Sequence, residues 1–354
     1  MILSIVVAAL AGASFLIRTN SMQIYGIDLG KNKFDVSFLS ADKNSNMTRP
    51  MHKVVKNTAA AIGNFLKKLP EDALLVAEHT GAYGDLLLKM CTENGVHVSY
   101  VSGLVIHTYR STLDREKSDE LDCASLREFG MRFADKLAPT SFPEKDIYEL
   151  RQLRLLRSQL VEQRKALSSL EKSESVRPIR SDVAKDVLQQ TLVNLNKQIK
   201  RIEDEMQVLI KKNQAMAKNY DIVTSVIGVG LVTAVDLLVN TQNFTTIKTA
   251  RAYASYAGIA PCKNESGTIN KGTHISKYGC RQAKSLLYTC ALSACTHNKE
   301  YSLYFQRRTQ NEGKNRFYVM NAIANKLLRT IFALIAKGET YDPTYICRDP
   351  RKAS

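Results

Sequence analysis

The sequence predicts a mixed α/β layer fold in its first half and a mainly helical second half, with a long helical connector between them. Three observations predict this. Short apolar runs that end in a carboxylate, Ile24-Tyr25-Gly26-Ile27-Asp28 and Ala73-Leu74-Leu75-Val76-Ala77-Glu78, read as buried strands with helical stretches between them. Between residues 146 and 212 the apolar positions recur instead at heptad spacing. After that, Gly-punctuated apolar segments with helical periodicity run to the closing stretch around Ile323, Leu327, Ile331, Leu334 and Ile335. The chain has 354 residues, 44% of them hydrophobic, enough for two domains and a connector, each with a core.

In chain order, the first strand turns through Gly30-Lys31-Asn32-Lys33 and resumes as Phe34-Asp35-Val36-Ser37-Phe38-Leu39, which alternates apolar and polar. That is a hairpin with Asp28 at its mouth. A third strand is expected near 47–55. A helix is expected over 57–69, started by Asn57 or Thr58 and stopped by Pro70. Strand 73–78 follows, then helix 83–94 closed by Gly95, strand 96–101 and helix 119–133. Three strands, helix, strand, helix, strand, helix is the element order of the ribonuclease H-like class.

In the connector, Leu188, Leu192, Leu195, Ile199, Ile202, Met206 and Leu209 step alternately by four and three, and Leu153, Leu156, Leu160, Leu167 and Leu170 run similarly, with Gln163 in one seam position. Pro178 separates the two runs, so the stretch reads as an antiparallel helical hairpin, coiled on itself or against another subunit; two helices of an ordinary bundle fit the same pattern. Next, Gly228-Val229-Gly230 precedes an apolar helix over 231–239. It suits either a helix-hairpin-helix, whose backbone N–H groups meet a phosphate, or a plain tight turn. Residues 262–272 read as a Lys-, Asn- and Gly-rich loop around Ser266, followed by a helix from Arg281. Lys277, Arg281 and Lys284 are spaced to share one helix face.

The net charge is +16, from 50 Lys and Arg against 34 Asp and Glu, which points to a polyanionic partner, nucleic acid ahead of an anionic membrane surface. Seven scattered Cys with no Cys-x-x-Cys suit reduced thiols in a cytoplasmic protein and argue against a zinc site. The apolar stretch 1–17 lacks a basic n-region and falls short of the roughly 20 residues that a spanning helix needs. Residues 1–22 are therefore set aside as a leader outside the fold, an over-extension of the start site, and no membrane role is expected.

Asp28 and Glu78 end buried strands, and Asp119 and Asp122 stand three apart on one helical face. Gathered carboxylates repel one another unless a cation neutralises them, and an oxygen-only set suits Mg²⁺ or Mn²⁺, ions that polarise phosphodiesters. Taken singly, each acid also suits a cap or a solvated surface. Ser266 lies between Glu265 and Gly267, with Lys263, Lys271 and Lys277 near in sequence. It is either a phosphate-facing nucleophile or a turn-capping Ser. Lys263, Lys271, Lys277, Arg281, Lys284, Gly228 and Gly230 are the candidate nucleic-acid contacts.

Tyr25-Gly26-Ile27-Asp28, Glu78-His79-Thr80-Gly81-Ala82-Tyr83 and Lys117-Ser118-Asp119 with Asp122 resemble the acidic motifs of the DEDD transposases, the insertion-sequence family numbered one hundred and ten, related to the Piv and MooV invertases. The second half is similar too, at Ile227-Gly228-Val229-Gly230, Ala254-Ser255-Tyr256-Ala257-Gly258-Ile259-Ala260-Pro261, Glu265-Ser266-Gly267 and Ile275-Ser276-Lys277-Tyr278-Gly279. The likeness spans about 23–343. His79 stands where the family usually has a small residue and Ser118 where it often has Thr.

The resemblance implies a RuvC-like domain over 23–145, a coiled-coil connector over 146–215, a C-terminal transposase domain over 216–345 and a tail over 346–354. It implies a metal-binding tetrad of Asp28, Glu78, Asp119 and Asp122. It also implies that Ser266 is a nucleophile forming a transient phosphoserine link to DNA. The partners implied are donor and target DNA, a structured guide RNA and further copies of the chain as a dimer or tetramer. A RuvC-like nuclease that cuts branched DNA with metal alone would need the tetrad but not Ser266. An actin-like ATPase would need a second phosphate loop that the sequence lacks, and a decayed binding remnant would not keep all five residues.

Overall fold

β1 (Gln23–Leu29) pairs antiparallel with β2 (Lys33–Ala41), and the register sets Asp28 opposite Asp35. The tight turn between them closes with the Gly30 N–H on the Lys33 carbonyl at 2.9 Å. β3 (Thr48–Lys56) continues the antiparallel ribbon, whereas β4 (Ala73–Glu78) and β5 (His97–Val101) add in parallel on the other side of β1. The sheet order is β3-β2-β1-β4-β5. Helices α1 (Ala59–Leu66), α2 (Asp85–Glu93), α3 (Gly103–Ser111) and α4 (Asp119–Phe133) complete this part. The strand order and directions are those of the ribonuclease H-like class, as the element order predicts. This computed structural model describes residues 22–41, 48–111, 118–266, 269–276 and 278–344, so the leader lies outside the described residues.

Both faces of the sheet are covered. Tyr25, Ile27, Leu29, Phe34 and Val36 pack with α1 and α2 residues on one face, while Ile24, Leu74 and Val76 pack with Ile106, Leu126 and Phe129 of α3 and α4 on the other. Large side chains fully buried this way each stabilise the fold by roughly 1.5–3 kcal/mol. Two local expectations differ. The first helix starts after Thr58, one of the two expected caps, and ends at Leu66 rather than at 69, while Asn57 donates its amide to the Gly30 and Tyr83 carbonyls at 3.1 and 2.9 Å. The helix expected from 83 begins as a 3-10 turn, Gly81–Gly84, and α3 has no counterpart in the sequence reading.

This unit ends at Phe142 and a second begins at Pro143. The second opens with α5 (Lys145–Ser175) and α6 (Asp182–Lys212), which form the expected helical hairpin. Arg157 meets Glu203 at 2.7 Å and Arg164 meets Asn196 at 3.1 Å; the pairing moves forward along one helix and backward along the other, so the two run antiparallel. The seam is buried at Ile199, Ile202, Met206 and Leu209 and half-buried at Leu188, Leu192 and Leu195. At its base Arg154 reaches the buried Asp236, whose other carboxylate oxygen accepts from Tyr253 Oη at 3.0 Å and Asn240 Nδ2 at 2.9 Å. That network ties α5 to α8 (Leu231–Asn240) and α9 (Ala250–Ala257).

α7 (Gln214–Ser225) leads into the Gly228-Val229-Gly230 segment and has no counterpart in the sequence reading. Residues 262–266 and 269–272 are strand rather than loop. β6 (Pro261–Ser266) and β7 (Ile269–Ile275) form an antiparallel hairpin with an irregularity between Lys263 and Glu265. α10 (Arg281–His297), α11 (Lys299–Gln306), a π-turn (Arg307–Asn311) and α12 (Arg316–Lys337) follow. Among the described residues α12 is the helix long and apolar enough to cross a membrane, and its Val319, Ile323, Leu327, Leu328, Ile331 and Phe332 lie in the core of this unit.

Candidate functional site

Two glycines decide how close α4 comes to the sheet. A Cβ on Gly26 of β1 would stand 2.0 Å from the Cys123 carbonyl oxygen and 2.3 Å from the Arg127 nitrogen, and one on Gly130 would stand 2.6 Å from Ile24. The helix backbone therefore rests directly on β1. Its first turn, capped by Ser118 Oγ accepting the Leu121 N–H at 3.2 Å, brings Asp119 and Asp122 towards Asp28. The Ser118 hydroxyl thus performs the cap that Thr would. Glu78 follows Ala77, which pairs with Ile27 in the parallel ladder, so it ends β4 beside Asp28. Its carboxylate lies over Gly103, where a Cβ would meet Oε1 at 2.3 Å.

Burial and then the charges of Asp122, Asp119, Asp35 and Glu78 push the Asp28 carboxyl up to about 6. All four acids expected from sequence are thus felt at one place. Asp35 joins them, buried and directly opposite Asp28, and it was missed. The alternation in β2 puts Asp35 and Ser37 on a polar face that reads as solvent-facing, but α4 covers that face, and Arg127 Nη1 donates to Ser37 Oγ at 2.7 Å.

Two cations and an imidazole contact this acidic cluster. Lys33 Nζ stands 3.2 Å from both Asp35 and Asp119, His52 Nε2 lies 2.8 Å from Asp35, and Arg110 of α3 pairs with Asp122. Among the described residues no three His, Cys, Asp or Glu side chains stand at ion-holding spacing, and Lys33 and Arg110 engage two of the four acids. The donor chemistry nevertheless fits a hard divalent cation: the candidate ligands offer carboxylate oxygens, and Asp28 is costly as an anion among its neighbours.

In the second unit Ser266 is the last residue of β6, opposite Ile269. The side chains of Ser266, Lys263 and Lys271, and all of Lys277, lie outside the described residues. Where the hairpin is rooted is clear. Gly258 before β6 and Gly279 after β7 cross so closely that a Cβ on Gly279 would stand 2.3 Å from the Gly258 Cα. The Cys280 N–H donates to the Tyr256 carbonyl at 2.8 Å, and Asn321 and Asn325 of α12 each donate to the Ile259 carbonyl at 3.0 Å. Arg281 and Lys284 lie in the first turn of α10, which begins at Arg281, while the face they were expected to share with Lys277 reaches outside the described residues. Gly228 is at φ 94° with a Cβ position 2.7 Å from the Cys290 carbonyl, which makes it a packing turn, while Gly230 is exposed and starts α8.

Residues 25–171 match the DEDD transposase model of IS110, and residues 220–306 match the model described as Transposase IS116/IS110/IS902 family. The chain belongs to the IS110 transposase family. It is 25% identical over 321 residues to the pilin gene-inverting proteins of Moraxella lacunata and Moraxella bovis, covering 90% of this chain and 97% of theirs. It is 29% identical over 161 residues to the insertion element IS110 43.6 kDa protein of Streptomyces coelicolor, covering 46% of this chain and 38% of that one. Thermus thermophilus RuvC aligns with 34% of the chain and 100% of its own at 14% identity, with a TM-score of 0.26. This transposase therefore belongs to a family of DNA recombinases, and its DEDD class is generally dependent on a divalent metal.

Proposed function

We propose that this transposase cuts and rejoins DNA through the acids Asp28, Glu78, Asp119 and Asp122, with Mg²⁺ or Mn²⁺ as the ion they hold and Ser266 as nucleophile. The observation that carries the reading is the convergence of the four acids, felt in the raised Asp28 carboxyl. A bound divalent ion would neutralise phosphate charge and favour ionisation of an attacking hydroxyl. Asp28 and Glu78, fixed at strand ends, and Asp119 and Asp122, fixed on the first turn of α4, supply its oxygen ligands. Lys33 and Arg110 neutralise Asp119 and Asp122 in the metal-free protein.

Ser266 Oγ forms a bond to phosphorus as the bond from phosphorus to one strand oxygen breaks; the proton leaves Oγ and the departing strand keeps a free hydroxyl. An incoming strand hydroxyl reverses the exchange, so rejoining needs no external energy source. Arg281 and Lys284, together with Lys263, Lys271 and Lys277, supply positive charge along the same stretch of chain. Asp28→Asn should abolish recombination and leave DNA affinity within a few-fold, because cations supply most phosphate affinity. Recombination at the wild-type level would refute the role of the acids.

The partners in this reading are donor and target DNA, a structured guide RNA and further copies of the chain as a dimer or tetramer. The +16 charge supports a polyanion, and the half-buried seam of α6 supports a contact between copies. Purification from cells carrying the complete element should yield one enriched RNA and a dimeric or larger particle by light scattering. Background RNA, or a monomer, would remove the corresponding partner.

A further inference from the structure

Phe317 and Tyr318 open α12 with their side chains in solvent, 80% and 55% exposed, immediately above the buried Val319. The segment that leads into them, 307–318, holds Arg307, Arg308, Lys314 and Arg316 against a single acid, Glu312. Glu312 is already engaged by Arg308 and, at 3.7 Å, by Arg307. Lys314 and Arg316 enter no side-chain hydrogen bond or ion pair among the described residues. The backbone here is fixed, because Asn315 Oδ1 accepts the Phe317 N–H at 2.9 Å and Gly313 takes the left-handed turn.

The position of Phe317 gives this surface a purpose. Phe317, Asn321 and Asn325 are spaced by four and share one side of α12. Asn321 and Asn325 hold the Ile259 carbonyl at the root of the β6–β7 hairpin. An exposed aromatic ring on a fixed backbone thus lies one helical turn from the clamp that holds the chain two residues before the strand ending in Ser266, with Lys314 and Arg316 next to it in sequence.

We propose that Phe317 is a stacking platform for an unpaired nucleotide of the DNA substrate, with Lys314 and Arg316 on the flanking phosphates. Every base offers a π-face to a ring, and a cation beside the ring meets the backbone phosphate, so the chemistry selects a single-stranded nucleotide without selecting its sequence. A DNA strand opened for exchange presents unpaired nucleotides on either side of the phosphate being attacked, and the ring stands at the root of the hairpin whose far end carries Ser266. The placement beside the cut rests on the role proposed for Ser266, whereas the stacking itself does not.

The test uses the full chain and a DNA duplex with a central four-nucleotide bubble carrying 2-aminopurine. Wild type should quench the 2-aminopurine on binding. Phe317→Ala should abolish the quenching and weaken bubble binding about tenfold, with binding to the fully paired duplex unchanged. Phe317→Trp should restore both, and Phe317→Leu, which keeps the bulk without the π-face, should not. Leu303→Ala, an exposed apolar change on α11, should behave as wild type. Ser266→Ala should quench normally whatever its covalent chemistry, so failure of the nucleophile is read separately from failure of the platform. Quenching by both Phe317→Ala and Phe317→Leu would overturn the proposal. So would an equal loss on paired duplex, an effect confined to an RNA bubble, or a change in particle mass in place of a change in DNA binding.

Discussion

At the scale of residues, the acidic cluster is an arrangement in which Asp28 is uncomfortable as an anion. Its carboxyl is pushed up to about 6 by burial and by Asp122, Asp119, Asp35 and Glu78. Because the folded value exceeds the unfolded value of about 4, folding favours the protonated form. That contribution to stability is complete below about pH 4 and is lost as pH rises through about 6. In metal-free buffer at about pH 7.5, Asp28→Asn should therefore melt at a higher temperature than wild type, and the gap should close toward pH 4. Added Mn²⁺ should narrow the gap by stabilising wild type. A gap that does not change with pH, or a variant less stable than wild type at neutral pH, would show that Asp28 does not carry this strain. Asp35 is legible only from the fold: in the sequence it is one polar residue in an alternating strand, and α4 makes its face an interior one.

At the scale of elements, the packing of α4 on β1 assembles the cluster, and Gly26 permits it. Gly26→Ala places a Cβ against backbone atoms of Cys123 and Arg127 that cannot swing aside, so α4 must move. The variant should lose about 1–3 kcal/mol of stability in a denaturant titration, as overpacked cores do, and should lose the pH-dependent part ascribed to Asp28. Gly230→Ala, with no neighbour within 4 Å of the added carbon, is the control and should cost less than about 1 kcal/mol. Equal, small effects at both positions would mean that the close approach is not required. The strands carrying Asp28 and Glu78 and the second half of the α6 heptads were legible because burial leaves a plain apolar period, whereas the α5 run keeps that period with Leu156 and Leu170 exposed. The β6–β7 hairpin was not, because a stretch of Lys, Asn, Ser, Thr and Gly has the composition of a loop and carries no apolar alternation. Its geometry comes instead from its roots, where Gly258 crosses Gly279.

At the scale of the whole molecule, the proposed chemistry is divided between two units, with the acids in the one ending at Phe142 and Ser266 in the one beginning at Pro143. The four acids stood out in the sequence as carboxylates closing apolar runs and three apart on one helix, whereas Ser266 was named through the resemblance to the DEDD transposases, because its spacing alone suits a turn-capping Ser. The cations that contact the acids could not be named from sequence, since Lys33 and Arg110 reach Asp119 and Asp122 only through the fold. The central claim is that DNA exchange passes through a covalent link to Ser266, with the acids and their metal required to form it. A denaturing gel of protein with end-labelled DNA and Mg²⁺ tests this most directly. Wild type should give a labelled band at protein mass. Ser266→Ala, Asp28→Asn and wild type with chelator should each bind DNA and give no such band, while Ser255→Ala should give it as wild type does. A covalent band from Ser266→Ala, or metal-dependent cutting by wild type with no covalent band under any trapping condition, would contradict the account.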